Sequence, residues 1–152
     1  MITLNKKQIL EYQKNRDPYL FIDKATKIIP GECAEGEKFL SPDEWFFKVH
    51  WPEDPNMPGM LQIEALVQLS ALSILTLPGN KGKIVYLLGA KDIKFKKKVL
   101  PSKNFVMKTR LTSWKRGLGS CEGIGYVDEE LTCRAKFDIL LKDDLLKYKV
   151  ND

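Results

Sequence analysis

The chain has 152 residues, 43% of them hydrophobic and 30% charged, and 25 Lys and Arg against 20 Asp and Glu leave a net charge of +5. That length suits one domain, and that much apolar material excludes a disordered chain. The positive balance favours acidic partners, such as nucleic acid, a membrane surface or an acidic carrier protein, without choosing among them.

Residues 1–14 read as a polar lead-in that tolerates helix. Lys6 and Lys7 are followed by no long apolar run, so a secretory signal is not expected. Asp17-Pro18 breaks the segment. Tyr19 to Ile29, rich in aromatic and β-branched residues, predicts a strand closed by the Pro30-Gly31 turn, and Glu32 to Leu40 predicts its partner. Ser41 to Gly59 carries Pro42, Pro52, Pro55 and Pro58, a density that predicts a structured loop with neither helix nor central strand.

A helix is expected from Pro58 to Pro78-Gly79. Its apolar residues, from Met60 and Leu61 through Ile74 and Leu75, occupy nearly every face, so it is expected to lie inside the protein. The run approaches the ~20 residues of a membrane span. Gln62, Glu64 and Gln68 within it argue against one.

The remainder reads as strands. Ile84 to Phe95 opens with a run, Ile84 to Leu88, expected to be buried. Phe105, Met107, Thr109 and Leu111 alternate with their neighbours on a second strand. Leu118 to Val127 holds Gly119, Gly123 and Gly125, which allow strong bending. Asp128-Glu129 is the expected hairpin tip, and Leu131, Cys133, Ala135, Phe137 and Ile139 share one face of the last strand. Lys142 to Asp152 is a charged tail. One bent antiparallel sheet wrapped around one long central helix is an α+β arrangement, a single domain over 1–152. Cys33, Cys121 and Cys133 have no metal-type spacing and read as reduced thiols of a cytoplasmic protein.

His50 is the sole histidine, set in the proline-stiffened loop that feeds the helix. Gly59 stands at the helix start, where unpaired N–H groups and a partial positive charge favour a ligand oxygen. Glu64 is the one charge among aliphatic neighbours, and Gln68, one turn on, can hydrogen-bond it. A carboxyl in such a setting prefers its neutral form and can act as an acid. Each residue also has a plain reading: a packed histidine, a tolerated glutamate near a helix start. Together they offer a base, an acid and an oxyanion donor, the set for abstracting a proton beside a carbonyl with expulsion of a leaving group.

The segment His50-Trp51-Pro52, then Pro58-Gly59 opening the helix, Glu64 fourteen residues after the histidine and Gln68 four beyond it, resembles the signature of the FabZ and FabA type 3-hydroxyacyl-[acyl-carrier-protein] dehydratases. Weaker resemblances flank it in Asp17-Pro18-Tyr19-Leu20-Phe21-Ile22-Asp23, Leu88 to Phe95 and Lys115-Arg116-Gly117-Leu118. Val49 and Glu53 stand where the family usually has glycines. The resemblance implies a hot-dog fold and reversible dehydration of 3-hydroxyacyl thioesters to trans-2-enoyl thioesters in fatty-acid or related acyl-chain synthesis, with no metal or cofactor. It implies that His50 is the base, Glu64 the acid, Gly59 the oxyanion donor and Gln68 the residue that orients Glu64. It further implies a homodimer with shared sites, open to assembly as a hexamer. Lys94, Lys96, Lys97 and Lys98 are either a solvated edge strand or a dock for the carrier protein, and no motif supports nucleic acid. A hot-dog thioesterase and a non-catalytic binder of acyl carriers are the alternatives.

Overall fold

The computed structural model describes residues 1–142. Its elements in order are β1 (Ile2–Asn5), α1 (Lys6–Tyr12), β2 (Lys24–Ile29), β3 (Cys33–Phe39), α2 (Trp45–Val49), α3 (Gly59–Leu75), β4 (Val85–Phe95), β5 (Asn104–Lys115), β6 (Leu118–Val127) and β7 (Glu130–Leu141). The strands form one sheet in the order β1-β2-β3-β5-β6-β7-β4, and every neighbouring pair is antiparallel. The sheet curls around α3, which packs against β2 through β7. This is the hot-dog arrangement that the sequence implies.

The all-round apolar pattern of α3 has the expected outcome. Every residue from Gln62 to Leu75 except Glu64 is buried. Close approach of sheet to helix is possible because strand β6 thins at its glycines. A Cβ at Gly123 would stand 3.1 Å from Leu66 Cδ1, and one at Gly125 would stand 2.5 Å from the Phe105 ring. The β6–β7 hairpin turns at Asp128 and Glu129, both with positive φ, as a two-residue turn of the type that matches strand twist requires. On β7, Cys133, Ala135, Phe137 and Ile139 are buried while Arg134, Lys136 and Asp138 are exposed, the expected alternation. The Cys121 and Cys133 thiols are buried, and burial pushes their pKa values up to about 12 and about 11. Cys33 is half-buried and, like them, free.

Four local expectations are corrected. The lead-in contains a strand, β1, as well as helix α1, which is opened by an Asn5/Gln8 capping box. The strand expected from Tyr19 begins only at Lys24, because the Phe21 N–H is given to the Gln68 side chain and the Tyr19 N–H to Arg16 O. The proline-rich loop does hold a short helix, α2, in the proline-free interval between Pro42 and Pro52, anchored by buried Phe46 and Phe47. Finally, Ile84 to Leu88 is not buried within one chain: Tyr86 is 44%, Leu87 42% and Leu88 54% exposed. Strand β4 is an edge of the sheet, paired on one side with β7, so the apolar run has no cover among the described residues. The charged tail, past Lys142, lies outside the described residues.

Candidate active site

His50 caps the C-terminal end of α2, its N–H donating to Phe46 O at 2.9 Å. Phe46 packs edge-on against Phe47 and Trp45, and these rings fix the short helix. The start of the same loop is held by a buried ammonium. Lys38 Nζ lies 3.0 Å from Glu44 and 3.8 Å from Asp23, and Asp23 also accepts the Phe39 N–H at 2.7 Å. Sequence reasoning missed this cluster, because a lysine inside a strand carries no local sign of burial.

The His50 ring stacks on Trp51 with centroids 4.3 Å apart, and its Nδ1 lies 3.2 Å from Asn56 O. A carbonyl oxygen only accepts, so Nδ1 carries the proton and Nε2 keeps its lone pair. Asn56 is itself held, donating from Nδ2 to Asp54 O at 2.8 Å, while the next N–H, of Met57, donates to Val99 O at 2.8 Å.

Glu64 lies on α3 and Gln68 one turn later. Gln68 Nε2 donates to Glu64 Oε1 at 2.9 Å and to Tyr19 O at 2.9 Å, and Gln68 Oε1 accepts the Phe21 N–H at 2.9 Å. The amide is thereby locked, and it locks the carboxyl. Burial raises the Glu64 pKa, opposed by the Gln68 hydrogen bond. The two residues share a cavity of about 260 Å³ with apolar groups of α3 and of the β4 edge.

Gly59 is the first residue of α3. The Leu61 and Gln62 N–H groups turn to Pro58 O at 3.0 and 3.1 Å, while those of Gly59 and Met60 have no partner within the helix. The Phe95 ring lies so close that a Cβ on residue 59 would meet its Cζ at 2.5 Å. A side chain at this position would have to displace the half-exposed Phe95 ring, so packing favours glycine here and a ligand can approach it. Gly59 lines a second cavity, of about 470 Å³, with Phe95, Gln62, Lys96, Lys97 and Lys98. Lys94 lines a different depression, so the basic cluster divides three to one. Lys97 pairs with Glu130 and Lys98 with Asp54, whereas no carboxylate among the described residues is within ion-pair reach of Lys94 or Lys96.

One chain therefore brings Glu64 and Gln68 together, presents Gly59 to a separate cavity, and leaves His50 lining neither. Among the described residues no cluster of His, Cys, Asp and Glu could hold a metal ion.

The raised Glu64 pKa has a consequence for stability. The folded chain holds this carboxyl above its unfolded value, near 4.3. Its contribution is full below the unfolded value and is lost as pH rises through the folded one. The melting temperature of Glu64→Gln should therefore gain on wild type as pH is raised from about 4 to about 8. A difference that stays constant across that range would mean an unshifted carboxyl.

A FabA-like domain model matches residues 14–136, and the chain belongs to that family. It is 37% identical over 133 residues to the 3-hydroxyacyl-[acyl-carrier-protein] dehydratase FabZ of Roseiflexus castenholzii, covering 88% of this chain and 93% of that protein. To the FabZ of Clostridium novyi it is 38% identical over 140 residues, covering 91% and 99%. Among solved structures, the dehydratase heterocomplex ApeI:P of Xenorhabdus doucetiae shares the fold with a TM-score of 0.75 at 14% identity, covering 91% of this chain and 95% of that one. A hypothetical thioesterase from Streptococcus pneumoniae, solved with coenzyme A, shares it with a TM-score of 0.60 at 14% identity, covering 77% and 83%.

Proposed function

We propose that the chain is a 3-hydroxyacyl-[acyl-carrier-protein] dehydratase of fatty-acid or related acyl-chain biosynthesis. The observation that carries this reading is Glu64: a carboxyl whose pKa burial raises, oriented by Gln68 in the wall of a cavity lined by apolar groups of α3 and β4. His50 Nε2 removes a proton from the carbon beside the thioester carbonyl, and that electron pair forms the carbon–carbon double bond. The carbon–oxygen bond at the 3-position breaks as Glu64 gives its proton to the departing hydroxyl, releasing water. The Gly59 N–H, aided by the helix dipole, stabilises the charge on the carbonyl oxygen. The proton on His50 then returns to Glu64 through solvent.

The test is incubation with 3-hydroxyacyl thioesters on carrier protein, read by mass. Loss of one water is the expected result. Release of free carrier would support a thioesterase instead, and tight binding with no reaction a non-catalytic carrier binder.

A homodimer follows from the same reading. His50 and Glu64 of one chain line no common cavity, and the uncovered apolar edge of β4 offers a second copy a place to pair. Two chains placed edge to edge let the His50 of one serve the Glu64 of the other. Further assembly to a hexamer stays compatible with this arrangement. No helix among the described residues is long and apolar enough to cross a membrane, and a cytoplasmic location fits the substrate class.

The carrier protein is the acidic partner that the net charge favours. Lys96, Lys97 and Lys98 line the cavity at Gly59, and a basic rim there supports docking of an acidic carrier protein. Reversing Lys96 and Lys97 to Glu should weaken reaction with carrier-bound substrate while a small thioester mimic reacts almost as before. Equal loss on both substrates would assign the lysines to stability.

A further inference from the structure

The cavity that holds Glu64 follows α3 downward. Val67, Ala71 and Leu75 line it below Glu64, and eleven residues of helix at a rise of 1.5 Å each span ~16 Å. An apolar helix face of that length suits an extended acyl chain whose reacting end lies at Glu64.

Of the polar residues that also line it, Lys14, Asn15 and Lys83 are not buried and the Gln68 amide is fully hydrogen-bonded, whereas Gln13 is neither open to solvent nor satisfied. Gln13, directly after α1, is 3% exposed, and its Nε2 is a buried donor with no acceptor among the described residues. Its main chain is fixed at both ends: its N–H donates to Ile9 O at 3.0 Å, and its carbonyl accepts from Arg16 at 2.7 Å. Its place along the cavity is fixed too. Tyr19, six residues later, meets Gln68 beside Glu64. Tyr12 O, one residue earlier, accepts the Gly82 N–H at 2.9 Å, in a loop that Asn80 ties to Ile74 O at 3.0 Å. Gln13 therefore stands toward the far end of the cavity, away from the reacting carbons.

A leucine or methionine would fill this wall with no orphaned donor. We propose that Gln13 is a specificity-determining residue that selects 3-hydroxyacyl thioesters carrying a hydrogen-bond-accepting oxygen in the distal part of the chain over plain alkyl chains. The inference rests on the dehydratase reading. Nε2 is sealed from solvent, but the terminal torsion of glutamine is broad, so the amide turns to meet an oxygen in the cavity without leaving its rotamer. A plain chain fills the same space and leaves the donor unpaired, and an unpaired buried group discriminates more strongly than one methylene does.

The experiment compares kcat/KM for 3-hydroxyacyl thioesters of equal length, one all-methylene and the others with a single ether oxygen moved along the distal positions. Wild type should prefer at least one ether chain by about 5–150-fold, the 1–3 kcal/mol of an unpaired buried amide converted at 1.36 kcal/mol per decade. Gln13→Leu should abolish that preference, improve turnover of the alkyl chain and melt no lower than wild type. Equal use of all chains by wild type would overturn the inference, and that comparison needs no variant. A preference that survives in Gln13→Leu would overturn it as well. Dehydration of none of the chains would overturn the dehydratase reading and this inference together, whereas dehydration of all of them alike overturns this inference alone.

Discussion

His50→Ala and Glu64→Gln should each lower dehydration by about 10²–10⁴-fold while leaving a folded protein. Each change removes one proton-handling group and little packed volume. His50 is only partly buried, and in Glu64→Gln the side-chain carbonyl can still accept from Gln68. The decisive measurement follows from the separation of the two groups within one chain. If the site is shared, mixing the two inactive variants should restore activity, because a mixed dimer collects both lesions in one site and leaves the other whole. At random exchange about half the dimers are mixed, each with one good site, so the mixture should approach roughly a quarter of the wild-type rate per subunit. Full activity in either single variant would refute the assignment. No recovery, with subunit exchange confirmed, would mean that each site is built within one chain.

Leu88→Asp should have an effect of similar size through a different route. Leu88 lies on the uncovered edge strand and is 54% exposed in the single chain. A charge there would be tolerated by a lone subunit but would enter an apolar interface between two, where an unpaired carboxylate is strongly disfavoured. The variant should run as a single chain in solution and lose activity by about 10²–10⁴-fold, the loss of one acid–base partner, although His50, Gly59 and Glu64 are untouched. A stable monomer with wild-type activity would rule out the shared site. A wild-type protein that is already monomeric and active would do so without any substitution.

How much of this was legible beforehand varied with the range of the physics involved. Helix α3 could be read from sequence because its apolar residues surround it, a pattern that has one stable solution in a chain this short. The β6–β7 hairpin could be read because Asp128-Glu129 is flanked by clear alternation. Glu64 and Gln68 could be paired because four residues on a helix are neighbours by geometry alone. Other features depended on contacts distant in sequence. The late start of β2 reflects a side chain 47 positions away claiming the Phe21 N–H. The burial of Lys38 depends on Asp23 and Glu44 arriving from two other segments. The run Ile84 to Leu88 was read correctly as apolar and wrongly as covered, because periodicity registers the need for cover and not which chain supplies it. The separation of His50 from Glu64 fits the shared site that the resemblance implies: within one chain the two residues line no common cavity.

The three thiols differ in a way that serves the experimenter. Cys121 and Cys133 are buried, and their thiolate forms, the only ones that attack an electrophile, are suppressed by pKa values of about 12 and about 11. Cys33, on β3, is partly open to solvent. A maleimide dye offered near neutral pH should therefore attach once per chain, at a position the sheet holds rigid. The protein comes with its own single attachment point for donor and acceptor fluorophores, so exchange of subunits between two labelled populations can be followed by energy transfer without introducing a cysteine.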